Sequence, residues 1–249
     1  MLPFFDCNCI VGRRSVPRPE NNLTVDEIVA AYAYAGVDQV LATHADAKEY
    51  DPQIGNEELS GLCADQPLFQ PCYVVQPQWT GEMPGGDALV AYLRDGGARG
   101  VRLFPKEHSY GLGERWCGPL FSTLAEAGIP LFIDLDQTSW PEIDGILTAH
   151  PQLNLVVLRA GYRSDRWVYP LLEAHQGLKL ESSNYLPHLG IEVLTERFGP
   201  DRLVFGTGMP LWDIGAAISH VMYAALSEEA RMQIASASLQ SILWQGGAA

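Results

Sequence analysis

The stretch PLFSTLAEAGIPLFID, residues 119–134, carries the pattern from which the fold is read. Residues 119–127 repeat apolar side chains at helical spacing, and Gly128 follows as the residue that helix C-termini favour. Residues 130–133 are then apolar at every position, and the run stops at Asp134. A run so short and so continuously apolar suits a strand covered on both faces, as strands of a parallel sheet are.

The same couplet recurs along the whole chain. Strand-like runs fall at 3–7, 39–42, 69–75, 100–104, 130–133, 153–158, 178–181 and 202–205. Helical patterns separate them at 24–36, 56–64, 87–95, 119–127, 141–150, 166–175 and 190–198, and two more at 214–226 and 227–244 close the chain. Thr24 and Glu27 have the spacing of a capping box, and glycines end several helices just before the next strand: Gly36, Gly97, Gly128, Gly177 and Gly199. Eight strands alternating with helices in 249 residues is the order of a (β/α)8 TIM barrel, here a single domain over 1–249. An open doubly wound sheet would use fewer strands and a glycine-rich phosphate loop. Neither GxGxxG nor GxxxxGK[ST] occurs.

Composition narrows the function. Hydrophobic residues make up 47% of the chain, ample for a large core, so disordered and fibrous classes are excluded. Sixteen basic against thirty acidic residues give a formal charge of −14, with no basic block, which excludes a nucleic-acid binder. No apolar run is long enough to cross a membrane. The opening MLPFFDCNCIVG lacks the pattern of a secretory signal, and five irregularly spaced cysteines read as reduced thiols, so a cytoplasmic protein is expected.

In a barrel of this kind chemistry gathers where strands end and βα loops begin. Those ends carry Cys7 and Cys9, His44, Gln76 and Gln78, Lys106 and His108, Asp134 and Asp136, Arg159, Ser183-Asn184-Tyr185, and Thr207-Gly208.

The segment Phe5-Asp6-Cys7-Asn8-Cys9-Ile10-Val11-Gly12 resembles the opening of the amidohydrolase-related family, the amidohydrolase 2 and aminocarboxymuconate-semialdehyde decarboxylase-like branch, where it reads Asp-x-His-x-His-x-Gly. Gly55-Asn56-Glu57-Glu58-Leu59, Arg99-Gly100-Val101-Arg102-Leu103-Phe104-Pro105 and Gly128-Ile129-Pro130-Leu131 are similar to later blocks of the same family. The most specific match is Phe198-Gly199-Pro200-Asp201-Arg202-Leu203-Val204-Phe205-Gly206-Thr207, followed by Met209-Pro210. The resemblance implies a barrel hydrolase or decarboxylase. It also implies a divalent metal held by the first-strand His pair, a His after strand five or six, and an Asp after strand eight. Those places are read here as Cys7 and Cys9, Asp134, Arg159 and Gly208, so every family ligand is changed.

A metal-free site is therefore the favoured reading. Arg102, Lys106 and Arg159, with Asn184 and Tyr185, would hold a small anionic molecule, because arginine offers a carboxylate a two-pronged fork. Asp134, with His44 or His108, would exchange protons with it, Asp134 acting as base toward water. The expected activity is hydrolysis of a carboxylate-bearing ester, lactone or amide, with decarboxylation behind it; the alternative is a non-catalytic relative that binds a small molecule or a partner protein. A zinc centre rebuilt from Cys7, Cys9 and Asp134 is a third reading, opposed by the fixed positive charge of Arg159. Arg159 and Asp134 also have a plain reading as a salt bridge in the place of the metal. Leu239, Ile242, Leu243 and Trp244 near the C-terminus are expected either to join copies in a homodimer or to close the bottom of the barrel.

Overall fold

The computed structural model describes residues 2–16, 18 and 23–246. Eight strands follow one another around a parallel sheet in chain order: β1 Phe4–Val11, β2 Val37–His44, β3 Phe69–Val74, β4 Gly100–Leu103, β5 Leu131–Asp134, β6 Leu155–Leu158, β7 Leu178–Glu181 and β8 Leu203–Val204. The ring closes between the last strand and the first through backbone bonds from Cys7 N to Phe205 O, Gly208 N to Asn8 O and Ile10 N to Met209 O, each 2.9 Å. At least one helix lies between each pair of successive strands, so the chain is a single-domain (β/α)8 barrel, as the alternating pattern predicts.

Local sequence rules account for many element ends. Helix Val25–Ala35 opens on the predicted capping box: the Thr24 side chain accepts from Glu27 N, and Glu27 accepts from Thr24 N at 2.7 Å. Helix Glu114–Ala127 closes on Gly128 at φ 67°, a setting that glycine adopts without strain. Its start departs from expectation. Read from sequence it begins at Pro119, but Gly113 is the cap and Pro119 sits inside the helix. The expected last helix is also broken, into Glu228–Met232, a wider turn at Gln233–Ala237, and Ser238–Ile242.

One irregularity positions the site. Against β2, Asp6 pairs with Val40 and Cys9 with Ala42, so β1 spends three residues where its neighbour spends two. This is a β-bulge, and it breaks the alternation of side chains. Cys7 packs inside the barrel with Phe5, Leu41, Cys72 and Phe132, whereas Cys9 packs outside with Ile28 and Tyr32 of the covering helix. The expectation that both cysteines share a face fails at this extra residue.

At the N-terminal end of the strands, Leu239, Ile242 and Leu243 join the same interior cluster as Phe5 and Phe132. Trp244 N donates to Arg99 O just before β4. Of the two roles open to these residues, the tertiary structure uses them to plug the barrel bottom. No helix among the described residues is long and apolar enough to cross a membrane.

Candidate functional site at the barrel mouth

Strand ends that carry polar side chains leave a cavity of about 220 Å³ at the C-terminal end of the barrel. Its polar wall consists of Asn8, Arg14, Lys48, Arg102, Asp134, Asp136 and Arg159, and its apolar wall of Ile10, Met209, Leu211 and Trp212. Arg102, Asp134, Asp136 and Arg159 stand in or just beyond the last residues of their strands, and Arg14 and Lys48 in the segments that follow β1 and β2.

The centre of the polar wall is Asp134, buried at the end of β5. Arg102 donates to its Oδ2 from Nε at 3.1 Å and from Nη2 at 2.5 Å, and Arg159 donates from Nε to Oδ1 at 2.8 Å. Arg159 also pairs with the more exposed Asp136. Burial pushes the Asp134 carboxyl up, but the two guanidinium groups outweigh it and hold the group below the usual carboxylate range. Burial likewise opposes the charge on Arg159, and Asp134 and Asp136 override that effect. The salt bridge read from sequence is thus present and has a second arginine in it. Among the described residues, no acceptor bonds Nη1 of Arg102 or of Arg159.

Glu181, at the end of β7, supports this wall from below. Its Oε2 accepts from Arg159 N at 2.9 Å and from Asn8 Nδ2 at 3.4 Å, and Ser183 donates to Oε1. Arg159 sits at φ 54°, a backbone setting that costs a non-glycine residue of order 1 kcal/mol, and the Glu181 bond holds it there. Complete burial pushes the Glu181 carboxyl above its ordinary range.

Counting from Asp6 along the Asp-x-His-x-His-x-Gly motif, the two histidine places fall two and four residues on, at Asn8 and Ile10. Those are the β1 residues that line the cavity. Reading the places as Cys7 and Cys9 put them one residue early. Burial pushes both thiols above their ordinary range, and they face opposite sides of the strand, so they do not form half of a zinc site with Asp134. Gly208 stands at φ 73° with the Trp212 indole packed where a β-carbon would point, so a carboxylate there would collide with the ring. An amide, an isoleucine, an arginine and a carboxylate already held by two guanidiniums do not make a divalent-cation site.

The remaining expected residues are dispersed. His44 ends β2 and caps the next helix, its Nδ1 accepting from Asp46 N at 3.3 Å and its Nε2 facing Glu58 at 3.4 Å. Burial pushes His44 below its ordinary range. His44, Asp46 and Glu58 are the one grouping among the described residues with metal-ligand spacing. Because Nδ1 already accepts, Nε2 carries the ring proton, and a cation there must first displace it. His108 meets Lys48 O at 3.0 Å through Nε2, lies outside the cavity wall, and is also pushed down by burial. The Lys106 ammonium donates to Asp136 O and borders the neighbouring groove beside Tyr110 and Trp116. Tyr185 is buried in the helix layer and donates to Asp165 at 2.7 Å, and Asn184 approaches Gly161 after β6.

Arg14 and Lys48 are cavity residues that sequence reasoning missed. They lie in the loop after β1 and in the helix after β2, and pair at the rim with Glu49 (2.9 Å) and Glu107 (3.3 Å). Trp212 and Met209 were missed as well, because their approach depends on how the segment after β8 folds back.

The sequence matches the family described as Amidohydrolase over residues 27–237. The chain belongs to the amidohydrolase family. No curated protein matches it. Solved structures share its fold at low identity. An uncharacterized TIM-barrel protein of Bordetella bronchiseptica is 18% identical with a TM-score of 0.77, covering 99% of this chain and 100% of that one. A 5-carboxyvanillate decarboxylase of Sphingomonas paucimobilis is 14% identical with a TM-score of 0.77, covering 97% and 99%. A 5-carboxyvanillate decarboxylase of Novosphingobium aromaticivorans, solved with manganese and 3-methoxy-4-hydroxy-5-nitrobenzoic acid, is 13% identical with a TM-score of 0.76, covering 96% of each.

Proposed function

We propose that this amidohydrolase-family barrel binds a small, flat carboxylate at its mouth without a divalent metal. The observation that carries the reading is that Nη1 of Arg102 and of Arg159 meets no acceptor among the described residues, while both side chains line one wall of a cavity whose other wall is Trp212, Met209, Leu211 and Ile10. A carboxylate accepts those donors, and a ring lies against the indole. At about 220 Å³ the cavity is below the roughly 300–1,000 Å³ of drug-sized sites, which suits a single substituted ring. The aromatic acids named in its structural neighbours fit that description.

The test is calorimetric titration with benzoate. Wild-type protein binds, and Arg159→Ala weakens binding by about 10- to 100-fold, the value of one or two charge-assisted hydrogen bonds. Equal affinity in both proteins, with folding intact, ends this reading.

Hydrolysis of a carboxylate-bearing ester, lactone or amide is the second reading. Glu181 favours it: a carboxyl that burial holds above its ordinary range, bonded to the two cavity residues Arg159 and Asn8, is a group that can take up a proton beside the mouth. Asp134 is the poorer base, since both its oxygens serve guanidinium groups. Turnover of such esters that is lost in Glu181→Gln and kept in His44→Gln and His108→Gln is the expected result; no turnover by the wild type removes the reading.

A further inference from the structure

Three residues of the mouth's apolar wall, Met209, Leu211 and Trp212, also line a second cavity of about 670 Å³. This groove runs between helix Val25–Ala35 and helix Ile214–Met222 and is bordered by Leu23, Tyr34 and Ile218. Among the described residues its one charged lining residue is Asp213, whose carboxylate accepts from Ala216 N at 3.2 Å and so faces its own helix. Tyr34 is 96% exposed and Trp212 51%, although both are large apolar side chains. A contiguous apolar surface of this kind beside a polar pocket marks a place where something apolar binds.

The two cavities differ in charge and share a wall. One end offers guanidinium donors and the other a hydrocarbon-lined trough, with Met209, Leu211 and Trp212 common to both. We infer that the ligand is amphipathic: a carboxylate-bearing ring in the mouth and an apolar tail that passes Trp212 into the groove. The inference rests on the carboxylate-binding reading above and adds its substrate class, an aryl acid with a hydrocarbon substituent opposite the carboxylate. The tail covers Tyr34 and Trp212, and the polar head leaves the groove free of unpaired charge.

A graded series separates the two readings. Benzoate and its 4-methyl, 4-propyl and 4-pentyl derivatives are titrated into the full chain. In the wild type each added methylene tightens binding roughly threefold, as expected for partial burial of a CH2 group. Tyr34→Glu puts a charge in the groove, and Ser219→Trp fills it; Tyr34 and Ser219 are exposed, and neither touches the mouth cavity. Both variants bind benzoate as the wild type does and lose the gain with chain length. Benzoate binding with no dependence on chain length in the wild type, or an unchanged dependence in both variants, overturns the tail and leaves the carboxylate site standing. No binding of any member of the series overturns both.

Discussion

Asp134 at the mouth and Asp6 in the seam between β1 and β8 are the same chemical group, and both are buried. Asp134 faces two guanidiniums. Asp6 faces only neutral donors: Asn8 N at 2.8 Å, Thr207 N at 2.9 Å, Tyr32 OH at 2.6 Å and the Thr207 hydroxyl. Burial pushes Asp6 up to about 6 despite those four bonds, whereas Asp134 lies below its ordinary value. Hydrogen bonds from neutral groups soften desolvation but do not cancel it; a full opposite charge does. The seam therefore holds a carboxyl that gains its proton readily, and the mouth holds one kept as an anion by the two cations it organises.

The largest expected effect removes the anion at the mouth. Asp134→Ala leaves Arg102 buried without its partner and should lower unfolding free energy by about 3–5 kcal/mol, measured by urea denaturation. Because the folded value of Asp134 is depressed, its contribution is present above about pH 4 and disappears as the pH falls below that value.

Asp6 carries the opposite sign. Its folded form holds its proton more tightly than the unfolded chain does, so stability should fall as pH rises from about 4 to about 6 and stay level above that. Across that window the stability difference between wild type and Asp6→Asn should change by on the order of 3 kcal/mol, the free energy of holding one proton that much more tightly in the folded chain. A pH-independent difference would show that the neutral donors compensate fully and would erase the contrast with Asp134.

Gly208 joins the two regions, since Thr207 bonds Asp6 and residue 208 lines the cavity. At φ 73° and against Trp212, Gly208→Ala should destabilise by about 1–2 kcal/mol and shift the Trp212 fluorescence. The smallest expected effect is that of a chelator: EDTA should leave the thermal midpoint where it was, because the cavity's buried carboxylate, Asp134, is already held by the guanidinium groups of Arg102 and Arg159. A clear fall in the midpoint would assign a structural cation, with His44, Asp46 and Glu58 as the first residues to test.

Much of the barrel was legible because its signals are local. The capping box at Thr24, the glycine at 128 and the apolar run at 131–133 each act within a few residues. The site was legible in part: Asp134, Arg102 and Arg159 lie at strand ends, where topology alone sends side chains toward the mouth. His108 and Tyr185 follow strands too, but their loops turn them toward Lys48 and Asp165. The cysteines misled because one extra residue in β1 reverses the facing of every side chain beyond it, and only the pairing with β2 reveals the insertion.

The sequence by itself determined the alternation of strands and helices, the closed parallel barrel that follows from it, and membership of the amidohydrolase family. Those follow from periodicity and from motif order, which need no knowledge of contacts across the ring. Only the tertiary structure decided that Asn8 and Ile10 face the cavity, that Arg102 joins Arg159 on one carboxylate, that Trp212 fills the space above Gly208, and that the C-terminal apolar residues plug the bottom. Each of these depends on register or on segments far apart in the chain meeting at the ring, where the neighbour that sets a side chain's charge or position lies in another strand.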